Sequence, residues 1–333
     1  MEKIAIVGLG LIGGSLGLAL KRAKLEGVEI FGHDKEPTVN GKAAKKGAVD
    51  RTHWNLIQAV EGASLVILAT PVEAIKEVMG QIAPYLPEGC VVTDTGSTKE
   101  SIMNAAKEAL PSHVSFVGGH PMAGKETPGI DSAEDSLFEN KTYCLFPAPT
   151  ATPQAVKSIV SMVELIGAKP FFVDAAEHDS YVAAVSHLPV ILSAALVSST
   201  NRHPSWREMA RLAATGYRDL TRLASGDPEM NRDICLTNKE GIIRWIDNYI
   251  DELGLYRNLI AEGGKELEEN FVKVLVAREK WLKGDIDEDK GRSGAFAEIP
   301  SAGERMAGLF LGDRLARRGR EMMQGADKGP QKR

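Results

Sequence analysis

The chain is 333 residues long, 43% hydrophobic and 26% charged, with a formal net charge of -5. That length exceeds a single small module and suits two domains of about 100 to 200 residues each. The composition excludes a disordered or fibrous chain, and the acidic balance argues against a broad nucleic-acid footprint.

Cys90, Cys144 and Cys235 stand far apart with no CxxC pair, so neither a disulfide framework nor a metal site is expected. Met1 leads directly into a strand-like stretch, without a charged leader and cleavage site. No apolar run is read as reaching the roughly 18 residues of a membrane span. The expectation is a cytoplasmic protein with a small-molecule partner, no nucleic acid and no membrane.

The first half alternates short β-branched runs, at 3–7, 28–31, 65–69, 90–93 and 114–117, with amphipathic stretches such as 74–86 and 99–110. Such alternation predicts parallel strands joined by crossover helices. Runs at 143–146 and 170–173, flanking a helical stretch over 153–166, are expected to extend the same sheet. From about Ala176 the strands give way to helical periodicities over 177–200, 205–224, 231–254 and 255–283. The fold class expected is α/β: a doubly wound Rossmann domain with a mostly parallel sheet over 1–175, then an all-α substrate and dimerisation domain over 176–285. A partly helical extension occupies 286–333, with one helix over 303–323. Helices of this kind gain most of their stability by packing on each other, including across a subunit boundary, so a homodimer through the helical half is expected.

Gly8, Gly10 and Gly13 form GLGLIG between the first strand and the helix that begins near Ile12. The first glycine permits a tight turn, the second lets backbone approach a pyrophosphate, and the third packs helix on strand. Backbone amides around Leu9, Leu11 and Ile12 then face the phosphates. Asp34 stands 21 positions after Gly13 at the end of the second strand. An acid at about that spacing binds a ribose 2′-hydroxyl and repels a 2′-phosphate, so the cofactor expected is NAD. Further strand ends, at Ala69, Thr70 and Pro71 and at Asp94, Thr95 and Gly96, are expected to complete the cleft.

Two polar, glycine-containing segments follow later strands: TDTGSTK (93–99) and GGHPMAGKETPG (118–129). Ser97 is expected near the nicotinamide end of the cleft. His120 is placed just past a strand and before Pro121, as a catalytic acceptor for a substrate hydroxyl, a role suited to an imidazole of pKa near 6.5.

The segments GLGLIGGS (8–15), DTGSTK (94–99), the HPMAG segment with Glu126 (120–126), HDSYVAAVSHLP (178–189) and YRDLTRLASGDPEMNRD (217–233) occur in that order. Together they resemble the prephenate/arogenate dehydrogenase family, from the first strand to about residue 285. The resemblance implies a two-domain dehydrogenase of the 6-phosphogluconate-dehydrogenase-like type. It implies hydride transfer from the hydroxyl-bearing ring carbon to NAD, with loss of the ring carboxylate as CO2 restoring aromaticity. On that pattern His120 bonds the substrate hydroxyl and Ser97 orients histidine and substrate. Glu126 is the nearby gating carboxylate, His187 lies close to the substrate, and Arg222 holds a substrate carboxylate through its planar fork. Asp219 orients neighbouring groups, and His178 and Asp179 read as a helix-start pair. Relatives favouring prephenate can carry a tryptophan where this chain has Asn231, a departure that leaves both substrates open; prephenate is the expected one and arogenate the alternative.

Two rivals remain at this stage. Another two-domain hydroxyacid dehydrogenase or imine reductase would use a helical lysine, for which Lys239 is the candidate, but no motif surrounds it. An NAD-binding sensor without catalysis would leave Ser97, His120 and Arg222 unexplained.

Overall fold

Ile4, Ala5, Ile6 and Val7 are all buried, and they alternate between two separate apolar cores. A strand covered by helices on both faces requires that pattern. The computed structural model describes residues 2–125 and 127–284. Glu126 and the helix expected over 303–323 lie outside them.

Eight strands, β1 (Glu2–Val7), β2 (Val28–His33), β3 (Arg51–Thr52), β4 (Leu65–Leu68), β5 (Val91–Asp94), β6 (Ser115–Pro121), β7 (Thr142–Pro147) and β8 (Lys169–Phe172), form one sheet in the order β3-β2-β1-β4-β5-β6-β7-β8. Neighbours are parallel except β6 and β7, which run antiparallel. The connecting helices are α1 (Leu11–Arg22), α2 (Pro37–Lys46), α3 (Leu56–Val60), α4 (Val72–Ile82), α5 (Glu100–Ala109) and α6 (Pro153–Leu165). Leu16 and Leu20 of α1 and Ile159 and Met162 of α6 share a core with Ile4 and Ile6. On the other face Ile75 and Met79 of α4 and Ile102 of α5 pack with Ala5 and Val7. The strand order reverses between β1 and β4, which opens a crevice at their carboxyl ends.

The doubly wound half thus follows the sequence reading, with β3 and α3 as additions too short to show a period and α2 as one whose only buried residues are Asn40 and Ala43. One placement is corrected. His120 lies within β6 rather than past it, because β7 pairs alongside and sets His120 opposite Cys144. Gly119 permits this: a Cβ there would lie 2.6 Å from the Asp94 carbonyl oxygen and 2.8 Å from the Tyr143 ring.

The chain then becomes helical: α7 (Ala175–Val182), a π-helical turn (Ala183–His187), α8 (Leu188–Asn201), α9 (Trp206–Leu212), α10 (Thr215–Thr221), a 3-10 turn (Arg222–Ser225), α11 (Pro228–Thr237), α12 (Lys239–Glu262) and α13 (Lys265–Lys283). Pro189 cannot donate a backbone hydrogen bond, and the wide turn before it accommodates that loss within an otherwise continuous helix over 175–201. The single helix expected over 205–224 is broken by extended backbone at Ala213 and Ala214. The break expected between 254 and 255 falls instead at Gly263 and Gly264, both at positive φ, while Gly254 stays helical.

The expectation of no span-length apolar run is also corrected. Residues 175–201 form a 27-residue helical run with mean hydropathy of 1.8 in its most apolar window, long and apolar enough by composition to cross a membrane. Ser, His and Pro interrupt the apolar residues here without adding charge. In this fold the run carries the buried His178, Asp179 and His187 and packs against α12 and the 3-10 turn. The helical half buries little of its own apolar surface, its core being Ala183, Ile234 and Ile242. Phe271, Leu275 and Trp281 of α13 are exposed, as are Ile250 and Leu253 of α12.

Candidate active site at the carboxyl edge of the sheet

The glycine loop closes the end of β1 over the crevice. Gly8 has a φ of 90°, and a Cβ on it would lie 2.5 Å from the Ala69 carbonyl oxygen. A Cβ on Gly13 would lie 1.9 Å from the Gly8 oxygen, so α1 sits directly on the loop. Gly10 differs, because a Cβ there would meet nothing within 4 Å: the loop is open on that side. α1 begins without an acidic residue and without a side-chain cap, which leaves its first amides, including those of Leu11 and Ile12, for an anion.

Asp34, half-buried at the end of β2, accepts from the Leu9 amide at 2.8 Å and the Glu36 amide at 3.0 Å. Each carboxylate oxygen keeps a lone pair for a ribose hydroxyl. Asn40 clasps the Asp34 backbone on both sides, at 2.9 and 2.8 Å. His33, its neighbour, turns away toward the His53 carbonyl at 3.0 Å. Leu9 contributes only backbone, since its side chain is fully buried in the core. Opposite, Ala69 is tied to Val7 at 2.7 Å, Thr70 has a buried hydroxyl with no partner among the described residues, and Pro71 precedes α4. Thr95 donates its amide to Leu68 at 3.0 Å. An open cradle at Gly10, free helix amides and a carboxylate beyond them fit a dinucleotide diphosphate with an unphosphorylated 2′-hydroxyl.

A cluster of imidazoles lies where the helical half docks on this edge. His120 is 8% exposed, His178 3% and His187 2%. His120 Nδ1 lies 2.9 Å from His178 Nε2, and the rings meet edge to face. Burial, with smaller contributions from His178, Lys99 and His187, holds the His120 pKa well below its ordinary 6.5, so the imidazole is neutral. His187 sits in the π turn, its Nδ1 3.2 Å from the Asn238 amide nitrogen and its Nε2 buried without a partner among the described residues. The halves are bolted together around this cluster. Asp179 accepts from the first amides of α5, Asp233 accepts from the Glu73 amide of α4 at 3.4 Å, and Thr98 bonds Thr237 at 2.8 Å. Carboxylates at two helix N-termini also complement their dipoles.

Residues 16–171 match the sequence model of the prephenate dehydrogenase nucleotide-binding domain, and residues 174–277 that of the prephenate dehydrogenase dimerization domain. The chain belongs to the prephenate dehydrogenase family. It is 35% identical to prephenate dehydrogenase of Bacillus subtilis over 302 residues, covering 90% of this chain and 80% of that one. A crystal structure of prephenate dehydrogenase from A. aeolicus, in complex with hydroxyphenyl propionate and NAD+, is 31% identical. It covers 84% of this chain and 98% of its own, with a TM-score of 0.78. Arogenate dehydrogenase of Synechocystis is also 31% identical, covering 84% and 99%, with a TM-score of 0.70.

The other residues carried over from the family resemblance lie on several separate elements. Ser97 is half-buried in the loop between β5 and α5 and is bonded to no other described side chain. Arg222 is exposed on the 3-10 turn, which packs on α8 through Ala224 and Ser193. Asp219 is exposed on α10, and Asn231 lies half-buried on α11. Lys239, the candidate of the rival dehydrogenases, is exposed at the start of α12.

Sequence reading missed the inner supports of this family's fold. Lys99 and Asp94 form a fully buried ion pair, and Asn238 bridges the Asp179 carbonyl at 2.6 Å to His187. The available signals were the five-residue spacing of Asp94 and Lys99 within one strand-to-helix turn, and the adjacency of His178 and Asp179.

Proposed function

We propose that this protein is an NAD-dependent prephenate dehydrogenase, converting prephenate to 4-hydroxyphenylpyruvate, CO2 and NADH on the route to tyrosine. The observation that carries the reading is His120, a neutral buried imidazole at the carboxyl edge of the sheet. Its Nδ1 is engaged by His178, and its Nε2 is bonded to no other described residue. Bound in the glycine-loop crevice, NAD supplies the hydride acceptor. His120 takes the proton of the ring hydroxyl as negative charge develops on that oxygen, and loss of the ring carboxylate drives the reaction by restoring aromaticity. Burial serves this chemistry by keeping the imidazole unprotonated before substrate arrives.

Around it, Arg222 grips a substrate carboxylate, and His187 offers its unpartnered Nε2–H to a substrate oxygen. Ser97, Glu126 and Asp219 complete the substrate side. Asp34 favours NAD over NADP. The exposed apolar faces of α12 and α13 are covered by a second copy, giving a homodimer, and the enzyme works in the cytoplasm on a small soluble acid.

The test is NADH formation with prephenate and with arogenate side by side, for the parent and for His120→Asn. Turnover of prephenate is expected, with kcat lowered by about 10² to 10⁴ in the variant and NAD binding retained. Faster turnover of arogenate would reassign the substrate, and turnover of simple hydroxyacids alone would overturn the reading.

A further inference from the structure

His120 is the first member of a buried chain. From His178, whose Nε2 faces His120 Nδ1 at 2.9 Å, the chain continues through His178 Nδ1 to Asp179 Oδ1 at 2.8 Å. The Asp179 carboxylate also accepts from the Lys99 amide at 2.9 and 3.0 Å and from the Glu100 amide at 2.9 Å. His178 and Asp179 are 3% and 4% exposed, and Phe146 covers the His178 ring edge to face at 4.9 Å.

The role of each nitrogen follows from the far end. Backbone amides only donate, so Asp179 is an acceptor, and the facing Nδ1 of His178 carries a proton. With one proton on each ring, His178 Nε2 is the lone pair and His120 Nδ1 donates to it. His120 Nε2 is then the lone pair.

We propose that Asp179 and His178 are positioning residues that fix the tautomer of His120, presenting Nε2 as the proton acceptor, with the N-terminus of α5 anchoring the far end of the relay. This rests on the reading of His120 given above. His120 and the α5 amides belong to the sheet half, whereas His178 and Asp179 belong to the helical half. The reactive tautomer is therefore fixed only when the halves are docked.

The same relay answers the charge that His120 gains on taking a proton. Among the described residues the charged and titratable groups around it are Asp94 at the end of β5 and Lys99 at the start of α5, His178 and Asp179 from α7, His187 from the π turn, and Cys144 and Tyr143 from β7, the Tyr143 hydroxyl being held neutral by burial, which raises its pKa. Asp94 is matched by Lys99, and burial raises the Cys144 thiol to about 11, so it is neutral. Asp179 is the anion left to balance an imidazolium at His120.

Three variants and one spectrum test this. Asp179→Asn offers an amide N–H to His178 Nδ1, which inverts both rings and leaves a proton on His120 Nε2. The expected result is a fall in kcat of about 10² or more, with KM for prephenate and affinity for NAD little changed. His178→Leu should lose as much, whereas His178→Gln, whose amide oxygen can accept from His120 Nδ1, should recover most of it. In the NAD-bound enzyme, 15N resonances of His120 should report Nδ1–H in the parent and Nε2–H in Asp179→Asn. Nε2–H in the parent would overturn the relay, and so would unchanged kcat in His178→Leu or equal loss in the Leu and Gln variants. Should Asp179→Asn fail to fold, the two His178 variants and the parent spectrum still decide. The spectrum needs no turnover, so a failure of prephenate as substrate is distinguishable from a failure of the relay.

Discussion

Lys99 and Asp94 form an ion pair with no solvent exposure, and between them they take both backbone groups of Gly119, the residue before His120. The Gly119 amide donates to Asp94 Oδ1 at 3.1 Å, and Lys99 Nζ donates to the Gly119 carbonyl at 2.8 Å. Asp94 also accepts from the Gly96 amide at 2.7 Å. Burying two charges costs several kcal/mol per ion, so a pair of this kind is explained better by what it positions than by net stability. Here it fixes the strand that presents His120. Burial pulls the Lys99 pKa down from its ordinary value, and the neighbouring Asp94 charge opposes that shift.

Lys99→Met should leave Asp94 as an unpaired buried charge and lower unfolding stability by about 3 to 5 kcal/mol. Adding Asp94→Asn to that variant should recover part of the loss, because the uncompensated charge is then gone. Urea unfolding of the single and double variants measures both effects, and a single variant as stable as the parent would rule out this role for the pair.

Asp34→Asn keeps an oxygen for the Leu9 amide while removing the charge proposed to favour NAD. The efficiency with NAD should fall by about 10-fold, the scale of one charge-assisted hydrogen bond, and the ratio of NADP to NAD efficiency should rise. An unaltered ratio would mean that another group sets cofactor choice.

For Arg222→Ala the expected signature is a KM for prephenate raised by about 10-fold or more with kcat much less affected, because a carboxylate grip is present in the ground state as well as the transition state. Arg222→Lys should recover little, since an ammonium cannot reproduce the planar fork. Steady-state kinetics with saturating NAD separates the two parameters. A KM equal to that of the parent would move Arg222 out of the site.

What the sequence discloses and what it hides divides along physical lines. The glycine loop is legible because Gly8 and Gly13 answer to local backbone geometry, which spacing records directly. His120 is visible as a polar residue among glycines, but its place inside β6 is not, because only the distant β7 makes Gly118 and Gly119 part of a strand. Lys99 is visible only as the end of the TDTGSTK segment, and nothing local marks it as buried; its burial depends on a carbonyl 20 residues away. His178 and Asp179 read as a helix-start pair, yet Asp174 performs that capping, bonding the Ala176 and Glu177 amides at 2.9 and 3.2 Å. Freed from the cap, the pair is available to the neighbouring half. Long helices are legible from their period, whereas the breaks at Asn238 and at Gly263 and Gly264 depend on tertiary contacts and turn geometry.

Acid should destabilise the protein through its buried imidazoles, and His187 gives the clearest case. Asn238 donates to its Nδ1, so Nε2 carries the proton, and a second proton would have to go on Nδ1, where Asn238 presents a donor. Burial is the main cause that lowers its pKa from 6.5 to about 4; His178 adds to the shift, and the Asp179 charge opposes it. In the unfolded chain the ring titrates near 6.5. Above that pH both states are neutral and the native state keeps its full stability. As pH falls from 6.5 toward 4 the unfolded chain binds a proton that the folded one refuses, so stability is lost across that window, by about 3 kcal/mol in total. His120, also held low by burial, should contribute in the same direction. Urea midpoints measured across the window should therefore decline with acid in the parent and decline less in His187→Gln, which has no proton to bind. Parallel curves for the two proteins would show that residue 187 is not buried neutral in the folded state.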